Sequence, residues 1–495
     1  MEKLDMLFVH PPANINGSSH TLDADTNFTE QYVSIPAGVF SMADNLDKAG
    51  YSVRILNLGE RVYLSNNSLE NEVCKMMTEF KPTAVGIDCH WMIHSAGAIE
   101  TARLIRKYAP DVYIILGGIT ASYFADEIIR RYGSPYELSR HSSVNFVLRG
   151  ECDESIVQLL DAIIKKSHDI EGVAGLTMRI SRDSGFIENP VSVPDVSAKL
   201  EITRYDLLVE QPTINPARAI ITMFRGCKGG CCYCAGAKES FADAMQRDNP
   251  CIIDHDRVVN LIKKNLAQGR NKIYLYGDIR HGGEYYVKRF FQELMFSGIA
   301  NAHIVFEFFS PATEEYLKKW RGWADKNSCT LEATYSPESG NRRIRSQFAK
   351  GYSNKTILDH CILVASFRIP QSTYFMFGLP NQDLAEVKET LKLAEEIIRI
   401  HASAGFNRKS IGHDVVAYTF MQIPDAGSNL FKYPEKYGFQ LNFDGFRGLV
   451  KMLSSARNWT EAIGYHTDNF TTEQLGETYK MIKSRMSALY EKYGL

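Results

Sequence analysis

Apolar residues follow two rhythms along this chain. Over residues 1–168, short and nearly continuous apolar runs occur at DMLFV (5–9), SVRIL (52–56), TAVGI (83–87), VYIIL (112–116) and VNFVL (144–148). Between them, apolar positions recur every three or four residues. The continuous runs predict strands buried on both faces, and the spaced ones predict amphipathic helices. In PAGVFSMADNLDKAG (36–50), Val39, Ala43 and Leu46 share a face, Pro36 suits the first turn and Gly50 marks the stop. A second helix at 95–108 sets Ile99, Ala102 and Ile105 on one side. Such alternation predicts an α/β, doubly wound (Rossmann-like) parallel sheet with any ligand at the carboxyl ends of its strands.

One more helix is expected over 151–168 and a β-hairpin near 170–192. Residues 169–218, rich in Pro, Val and Asn at their end, read as that hairpin and a linker. The alternation then restarts with AIITMF (219–224), KIYLY (272–276), HIVFEFF (303–309), CTLEAT (329–334), STYFMF (372–377) and HDVVAYTF (413–420). Helical stretches such as 256–268 and 384–400 separate most of them. Six βα units over 219–430 predict a partial (β/α)6 barrel with its chemistry at the strand carboxyl ends. Residues 431–495 read as a C-terminal helical region, and no internal repeat is present.

Composition narrows the class. A chain of 495 residues exceeds one ordinary core, and 44% hydrophobic with 23% charged residues fits a globular protein. A formal net charge of −2 argues against a nucleic-acid partner. No apolar run reaches the roughly 20 residues that span a bilayer, so no membrane association is expected. The start, MEKLDMLFVHPP, lacks a signal-peptide pattern, and a cytoplasmic location is expected.

Ten cysteines in such a chain are not a disulfide framework. Cys74, Cys89, Cys152, Cys251, Cys329 and Cys361 are scattered singly and read as small buried hydrophobes. The others sit in RGCKGGCCYC (225–234), directly after the first strand of the second unit. Cys227, Cys231 and Cys234 have CxxxCxxC spacing, and their thiolates suit three irons of a 4Fe–4S cluster. The fourth iron would then lack a protein ligand here and be open to a small molecule. The glycines at 226, 229 and 230 allow a tight loop. The alternative is a zinc knuckle, but closed zinc sites use two separated ligand pairs, and no second pair follows. Cys232 reads as a packing residue.

This spacing, with the aromatic Tyr233 before the last cysteine, resembles the radical S-adenosylmethionine (SAM) superfamily. The resemblance implies a 4Fe–4S cluster whose open iron binds SAM, and extends over 220–440. It places Asp278, in YGDIRHGGE (276–284), near SAM's amino group. In SPESGNRRIRSQFAKGYS (336–353) it places Glu338 and Ser339 near the ribose, and one of Arg342, Arg343 or Arg345, here represented by Arg343, near the carboxylate. A solvated helix start is the alternative for those arginines. Gly378, in FMFGLPNQD, would let backbone approach the adenine, and Tyr233 borders the cluster.

The first unit resembles the cobalamin-binding domain that precedes many such barrels. HPPA (10–13), GIDCHWMIHSAG (86–97), LGGITASY (116–123) and LRGECDESI (148–156) carry the likeness. It implies cobalamin contacts from Pro11, Pro12, Ala13, Cys89, His90, Gly117, Gly118, Thr120, Gly150 and Glu151. The DxHxxG motif that supplies a histidine to cobalt is absent, so cobalamin without a histidine ligand is expected. The alternative for His90 is a satisfied loop histidine with no such role.

The resemblance as a whole implies a cobalamin-dependent radical SAM methyltransferase. It would act on an unactivated carbon or phosphorus of a small-molecule or peptide substrate through methylcobalamin and a 5′-deoxyadenosyl radical. A flavodoxin- or ferredoxin-type donor would supply electrons. A cyclase, rearrangement or oxidation enzyme is the nearer alternative and a corrinoid or redox sensor the farther one. No residue is assigned as a general acid or base.

Overall fold

The computed structural model describes residues 3–13, 34–65, 67–133, 143–167, 169–180, 185–195, 197, 201–213, 218–407, 414–421, 423–457 and 459–495. The first sheet contains β1 (Met6–His10), β2 (Val53–Asn57), β3 (Ala84–Asp88), β4 (Tyr113–Gly117), β5 (Phe146–Leu148), β6 (Leu176–Arg179) and β7 (Phe186–Glu188). Its order is β2-β1-β3-β4-β5-β6-β7. The first five strands are parallel, and the hairpin β6–β7 extends the sheet antiparallel. The order in which strands are added reverses between β1 and β3, which opens a crevice outside their carboxyl ends.

Side chains alternate across this sheet. Leu7 and Val9 enter one hydrophobic core, while Met6 and Phe8 enter the core on the other face. Helices cover both faces. The helix Ala37–Lys48 buries Val39, Ala43 and Leu46, and the helix Ser95–Tyr108 buries Ile99, Ala102 and Ile105. The expected 151–168 helix is instead α-helical only over Ser155–Leu160 and then widens to a π-helical turn at Asp161–Lys165. Asp161 there accepts from the Tyr51 hydroxyl at 2.6 Å.

The second sheet runs β8 (Arg218–Thr222), β11 (Lys272–Tyr276), β12 (His303–Phe308), β13 (Thr330–Glu338), β14 (Gln371–Phe377), β15 (Val416–Phe420), all parallel. Outward residues such as Ile273, Leu275, Phe306 and Phe308 are buried beneath helices. The edge strands β8 and β15 do not pair, so this is the partial barrel. Between β8 and β11 lies a small antiparallel pair, β9 (Phe224–Arg225) and β10 (Cys251–Ile252).

After the barrel comes another short pair, β16 (Phe439–Leu441) and β17 (Tyr465–Thr467), which the helix Gly445–Ser455 connects and the helix Thr472–Tyr493 follows. The last helix starts on a reciprocal Thr471–Gln474 cap and ends at Gly494 in the left-handed region. The helix Gly445–Ser455 packs back on the helices Ser95–Tyr108 and Ala125–Tyr132 that cover the first sheet, where Phe446, Leu449 and Leu453 join the core that contains Phe124 and Ile128. Burying three such side chains contributes on the order of 5 kcal/mol.

The carboxyl edges of the two sheets face each other. Asp153, beyond β5, meets Arg225, beyond β8. Tyr123, beyond β4, packs on Phe431 and lies 3.1 Å from where a side chain on Gly427 would begin.

Candidate functional site

The cysteine loop begins where β9 ends. Gly226 turns it with φ +75°, and a side chain there would meet the Phe241 ring at 2.8 Å. The loop closes on itself through Cys234 N–H to Cys231 O (3.2 Å) and Lys238 N–H to Gly229 O (3.0 Å). Gly229 N–H donates to Cys227 Sγ at 3.2 Å. The segment beyond β15 clasps it from outside: Asp425 N–H donates to Tyr233 O, Leu430 N–H to Cys232 O, and Ala235 N–H to the Asp425 carboxylate at 3.1 Å. Cys232 is buried in the barrel core, as its packing role requires, while Cys227, Cys231 and Cys234 are half-buried.

The sulfur surroundings fit a cluster. A side chain on Gly229 or Gly236 would start 3.4 or 3.5 Å from Cys227 Sγ or Cys234 Sγ, so glycine keeps space open beside the thiols. Burial pushes the Cys227 and Cys231 thiols up, and the Lys350 ammonium opposes it. Burial, then the Asp425 carboxylate, pushes Cys234 up as well. Metal coordination supplies the charge that ionises such thiols. Among the described residues no three His, Cys, Asp or Glu side chains converge on a single ion position. A polynuclear cluster does not need that convergence, because each thiolate takes its own iron.

Around this loop the barrel presents a ring of ionisable groups. Glu338 ends β13 in the left-handed region (φ +70°), just past a break in the β13–β14 register. Its carboxylate accepts from Lys350 at 2.5 Å, and Lys350 also donates to Ser336 O. Burial works against the Lys350 ammonium, but Glu338 outweighs it and holds the lysine above its ordinary range. Burial raises the Tyr233 hydroxyl, and nearby Glu338 raises it further. Ser339 is buried and accepts from Asn341 N–H at 3.1 Å.

The arginines of this segment are committed within the fold. Arg343 reaches Glu386 at 2.5 Å and Asn381 O. Buried Arg345 holds Ser339 O, Asn354 and Tyr352 O, and Arg342 holds Gly351 O. The buried cation facing the cysteines is Lys350, a residue the sequence reading passes over. Asp278 is likewise engaged: its carboxylate pairs with Arg280 at 2.6 Å and accepts from Phe309 N–H at 2.9 Å. Gly378 (φ +74°) faces Tyr465, whose hydroxyl would lie 2.6 Å from an added side chain. The structure thus places Asp278, Arg343 and Gly378 in protein contacts of their own.

Sequence reasoning also passes over Glu307, on the concave face of β12. It accepts from the Tyr274 hydroxyl and from Gly277 N–H (2.7 Å), and no Lys, Arg or His among the described residues forms an ion pair with it. Burial raises its carboxyl to about 7. On the same face Tyr276 is 52% and Tyr374 37% exposed, although their outward neighbours Leu275 and Phe375 are fully buried. The concave face is therefore a hollow lined by tyrosines and one carboxyl.

The crevice of the first sheet is built at the β1–β3 reversal. His10 ends β1 and its Nδ1 lies 2.7 Å from the Asp88 carboxylate, which ends β3. Burial works against the Asp88 charge, yet the facing His10 holds its carboxyl below the usual range. His94 stacks edge-on against His10 at 4.8 Å. This histidine–carboxylate pair joins residues 78 apart and has no local sequence signal. Pro11 and Pro12 are buried and Ala13 half-buried. A side chain on Gly97 would start 1.8 Å from Pro12 O, so that glycine seats the loop.

Cys89 is buried and His90 half-buried; burial lowers the His90 imidazole. Gly118 (φ +104°) lies against the Cys89–His90 backbone, where a side chain would meet atoms at 2.8 Å. Thr120 donates its hydroxyl to His90 O at 2.9 Å, and Gly150 N–H donates to Ser122 Oγ at 3.1 Å. Next to the crevice, Gly117 has open space, with its nearest neighbour, Leu148 O, 3.6 Å from an added side chain. Glu151 pairs with Arg247. The ten residues thus form one rim at the carboxyl edge, with Thr120 and Glu151 engaged by protein groups.

Residues 221–394 match the family model of the radical SAM superfamily, and residues 28–136 match that of the B12 binding domain. An uncharacterized methyltransferase of Pyrococcus horikoshii is 21% identical over 171 residues, 34% of either chain. The anaerobic magnesium-protoporphyrin IX monomethyl ester cyclase of Rubrivivax gelatinosus is 21% identical over 265 residues, 51% of this chain and 42% of that protein. The match therefore spans less than half the length of either relative. Among solved structures, the radical SAM methyltransferase TsrM of Kitasatospora setae, with tryptophan and a SAM analogue bound, superposes with a TM-score of 0.63 at 14% identity, over 98% of this chain and 89% of its own. The cobalamin-dependent radical SAM enzyme OxsB superposes with a TM-score of 0.58 at 16% identity, over 90% and 64%. These likenesses show the shared fold. Among the described residues no helix is long and apolar enough to cross a membrane.

Proposed function

We propose, from the premise that this chain is a radical SAM protein with a B12-binding domain, that it is a methyltransferase acting on an unactivated carbon or phosphorus. The observation that supports this reading is the meeting of the two carboxyl edges at Asp153–Arg225 and Tyr123–Phe431. It brings the cysteine loop and the crevice to one interface, where a substrate can reach both. The two methyltransferase relatives, one by sequence and one by fold, support it as well.

In this reading the 4Fe–4S cluster with SAM supplies a hydrogen-abstracting radical and cobalamin supplies a transferable methyl group. The chain's own residues hold and orient these groups. Cys227, Cys231 and Cys234 would bind iron, with Lys350 balancing negative charge beside them. Tyr233, Asp278, Glu338, Ser339, Arg343 and Gly378 would border SAM, directly or through the contacts described above. The crevice rim from Pro11 to Ala13, from Cys89 to His90, at Gly117, Gly118 and Thr120, and at Gly150 and Glu151 would seat the corrinoid. Packing of the two units would keep water from the substrate. A flavodoxin- or ferredoxin-type protein would donate electrons.

Anaerobic reconstitution with iron, sulfide and hydroxocobalamin tests this, followed by metal analysis and a SAM-cleavage assay. One cluster and one cobalt per chain, with 5′-deoxyadenosine and S-adenosylhomocysteine both formed under reduction, is the expected result. Formation of 5′-deoxyadenosine alone favours the cyclase-like chemistry that the Rubrivivax relative's name describes. Iron that survives replacement of all three cysteines by Ala sinks the assignment.

A further inference from the structure

The crevice and the cysteine loop are joined by a buried charge network that continues from the rim residue Glu151 to Asp153, Arg225 and Arg247, which neither cofactor assignment uses. Its acidic half lies in one short loop, Arg149–Glu154, beyond β5. Its basic half flanks the cysteine loop on both sides. Arg225, two residues before Cys227, grips Asp153 with both arms of its guanidinium, at 2.5 and 3.0 Å. Arg247, thirteen residues after Cys234, grips Glu151 and also donates to Pro194 O at 2.6 Å. The second Glu151 oxygen lies 3.9 Å from Arg225, so the two grips share one charge cluster. All four side chains are buried to 86% or more.

The network is anchored at its far end too. Asp153 accepts from Ser41 Oγ at 2.5 Å, and its carbonyl accepts from Asn45 at 2.8 Å, which ties it to the helix Ala37–Lys48. Gly150 N–H is tied to Ser122, in the turn after β4 that borders the crevice. A continuous path of short contacts therefore runs from the crevice rim through Ser122, Gly150 and Asp153 to Arg225 and Cys227. Only Gly226 separates the last two, and two residues of chain span at most about 7 Å. The path has little slack.

Buried ion pairs add little stability beyond a well-packed apolar contact, but paired guanidinium and carboxylate planes fix geometry closely. We infer that the Arg149–Glu154 loop is a positioning device that sets the separation and orientation of the two cofactors, through Asp153 on Arg225 and Glu151 on Arg247. The inference rests on the reading of the crevice as the corrinoid site. Asp153 is a positioning residue that acts through Arg225 and touches no reacting atom, while Glu151, on the crevice rim, ties that rim to Arg247.

The test uses the full chain reconstituted with cluster and corrinoid. Substituting Asp153→Asn, a residue off the corrinoid rim, keeps size and removes charge. The dipolar interaction between the reduced cluster and cob(II)alamin, both paramagnetic, is read by electron paramagnetic resonance. We expect iron and cobalt at wild-type levels, a weaker and broader spin–spin interaction, and S-adenosylhomocysteine formation down by about tenfold or more while 5′-deoxyadenosine persists. An unchanged interaction and product ratio at wild-type cofactor content overturns the inference. Should that variant fail to fold, Arg247→Gln cuts the outer grip alone and is judged by the same two readings. Failure of the wild-type chain to bind cobalt would instead overturn the corrinoid reading, independently of either variant.

Discussion

Lys350 donates to Glu338 across 2.5 Å, and the pair lies buried beside Cys231. Because the lysine faces the thiols, it stabilises whatever negative charge they and their metals carry. Lys350→Met removes that cation and leaves Glu338 buried without it. The reduced cluster, one electron more negative, loses most, so the midpoint potential falls. A loss of about 1 kcal/mol corresponds to roughly 40 mV for one electron. Potentiometric titration of the reconstituted variant checks this; an unchanged potential would show that the lysine serves Glu338 alone.

Cys232 separates packing from ligation. It is buried in the barrel core, and its carbonyl accepts from Leu430 N–H at 2.8 Å. Cys232→Ala is expected to keep full iron content and lose about 1 kcal/mol of stability, the scale of one buried small group. Cys227→Ala, Cys231→Ala or Cys234→Ala should each lose the cluster. Iron analysis with a melting curve distinguishes the four.

Glu307 gives the stability a pH signature. Burial raises its carboxyl to about 7, against about 4.3 in an unfolded chain. The folded state therefore binds the proton more tightly between those values. This contribution is fully present below the unfolded value and is lost as pH rises through about 7. Glu307→Gln cannot ionise, so relative to wild type it should gain on the order of 2 kcal/mol between pH 5 and pH 8. Denaturant midpoints at the two pH values measure it. A variant that tracks wild type at both would place the Glu307 carboxyl in the ordinary range.

Gly378 and Tyr465 form a coupled pair. Gly378 has φ +74°, and an added side chain would start 2.6 Å from the Tyr465 hydroxyl, which itself donates to Met421 O at 2.6 Å. Gly378→Ala should cost about 2–3 kcal/mol from backbone strain and crowding together. Tyr465→Phe removes the crowding atom and one hydrogen bond. The double variant should therefore be less destabilised than the two single losses combined, as a double-mutant cycle reads it.

What the sequence discloses divides along physical lines. Strands β1 to β4 all begin one residue later than their apolar runs, a one-residue offset at strand ends where Asp5, Ser52 and Thr83 still bond across the sheet. The two cores on either side of the first sheet follow from period-two alternation within each strand. Cys227, Cys231 and Cys234 are legible because their spacing is local. Arg225 with Asp153, His10 with Asp88, and Glu307 with Tyr274 are not, since each pair is assembled by strand order across distant parts of the chain. The resemblance sets one of Arg342, Arg343 or Arg345 near a carboxylate, a choice that local sequence leaves open; in the fold Arg343 meets Glu386, and the buried cation beside Glu338 is a lysine twelve residues on.

The helix Gly445–Ser455 has a consequence for how the protein is made. Phe446, Leu449 and Leu453 complete the core around Phe124 and Ile128, and Glu127 accepts from Phe446 N–H at 2.7 Å. The ribosome thus releases the first sheet long before it releases the helix that finishes its covering. During that interval the face formed by the helices Ser95–Tyr108 and Ala125–Tyr132 is bare and open to association with other nascent chains. A gene truncated after residue 218 should yield a sticky, chaperone-bound fragment, and co-expressing residues 423–495 in trans should return part of it to solution.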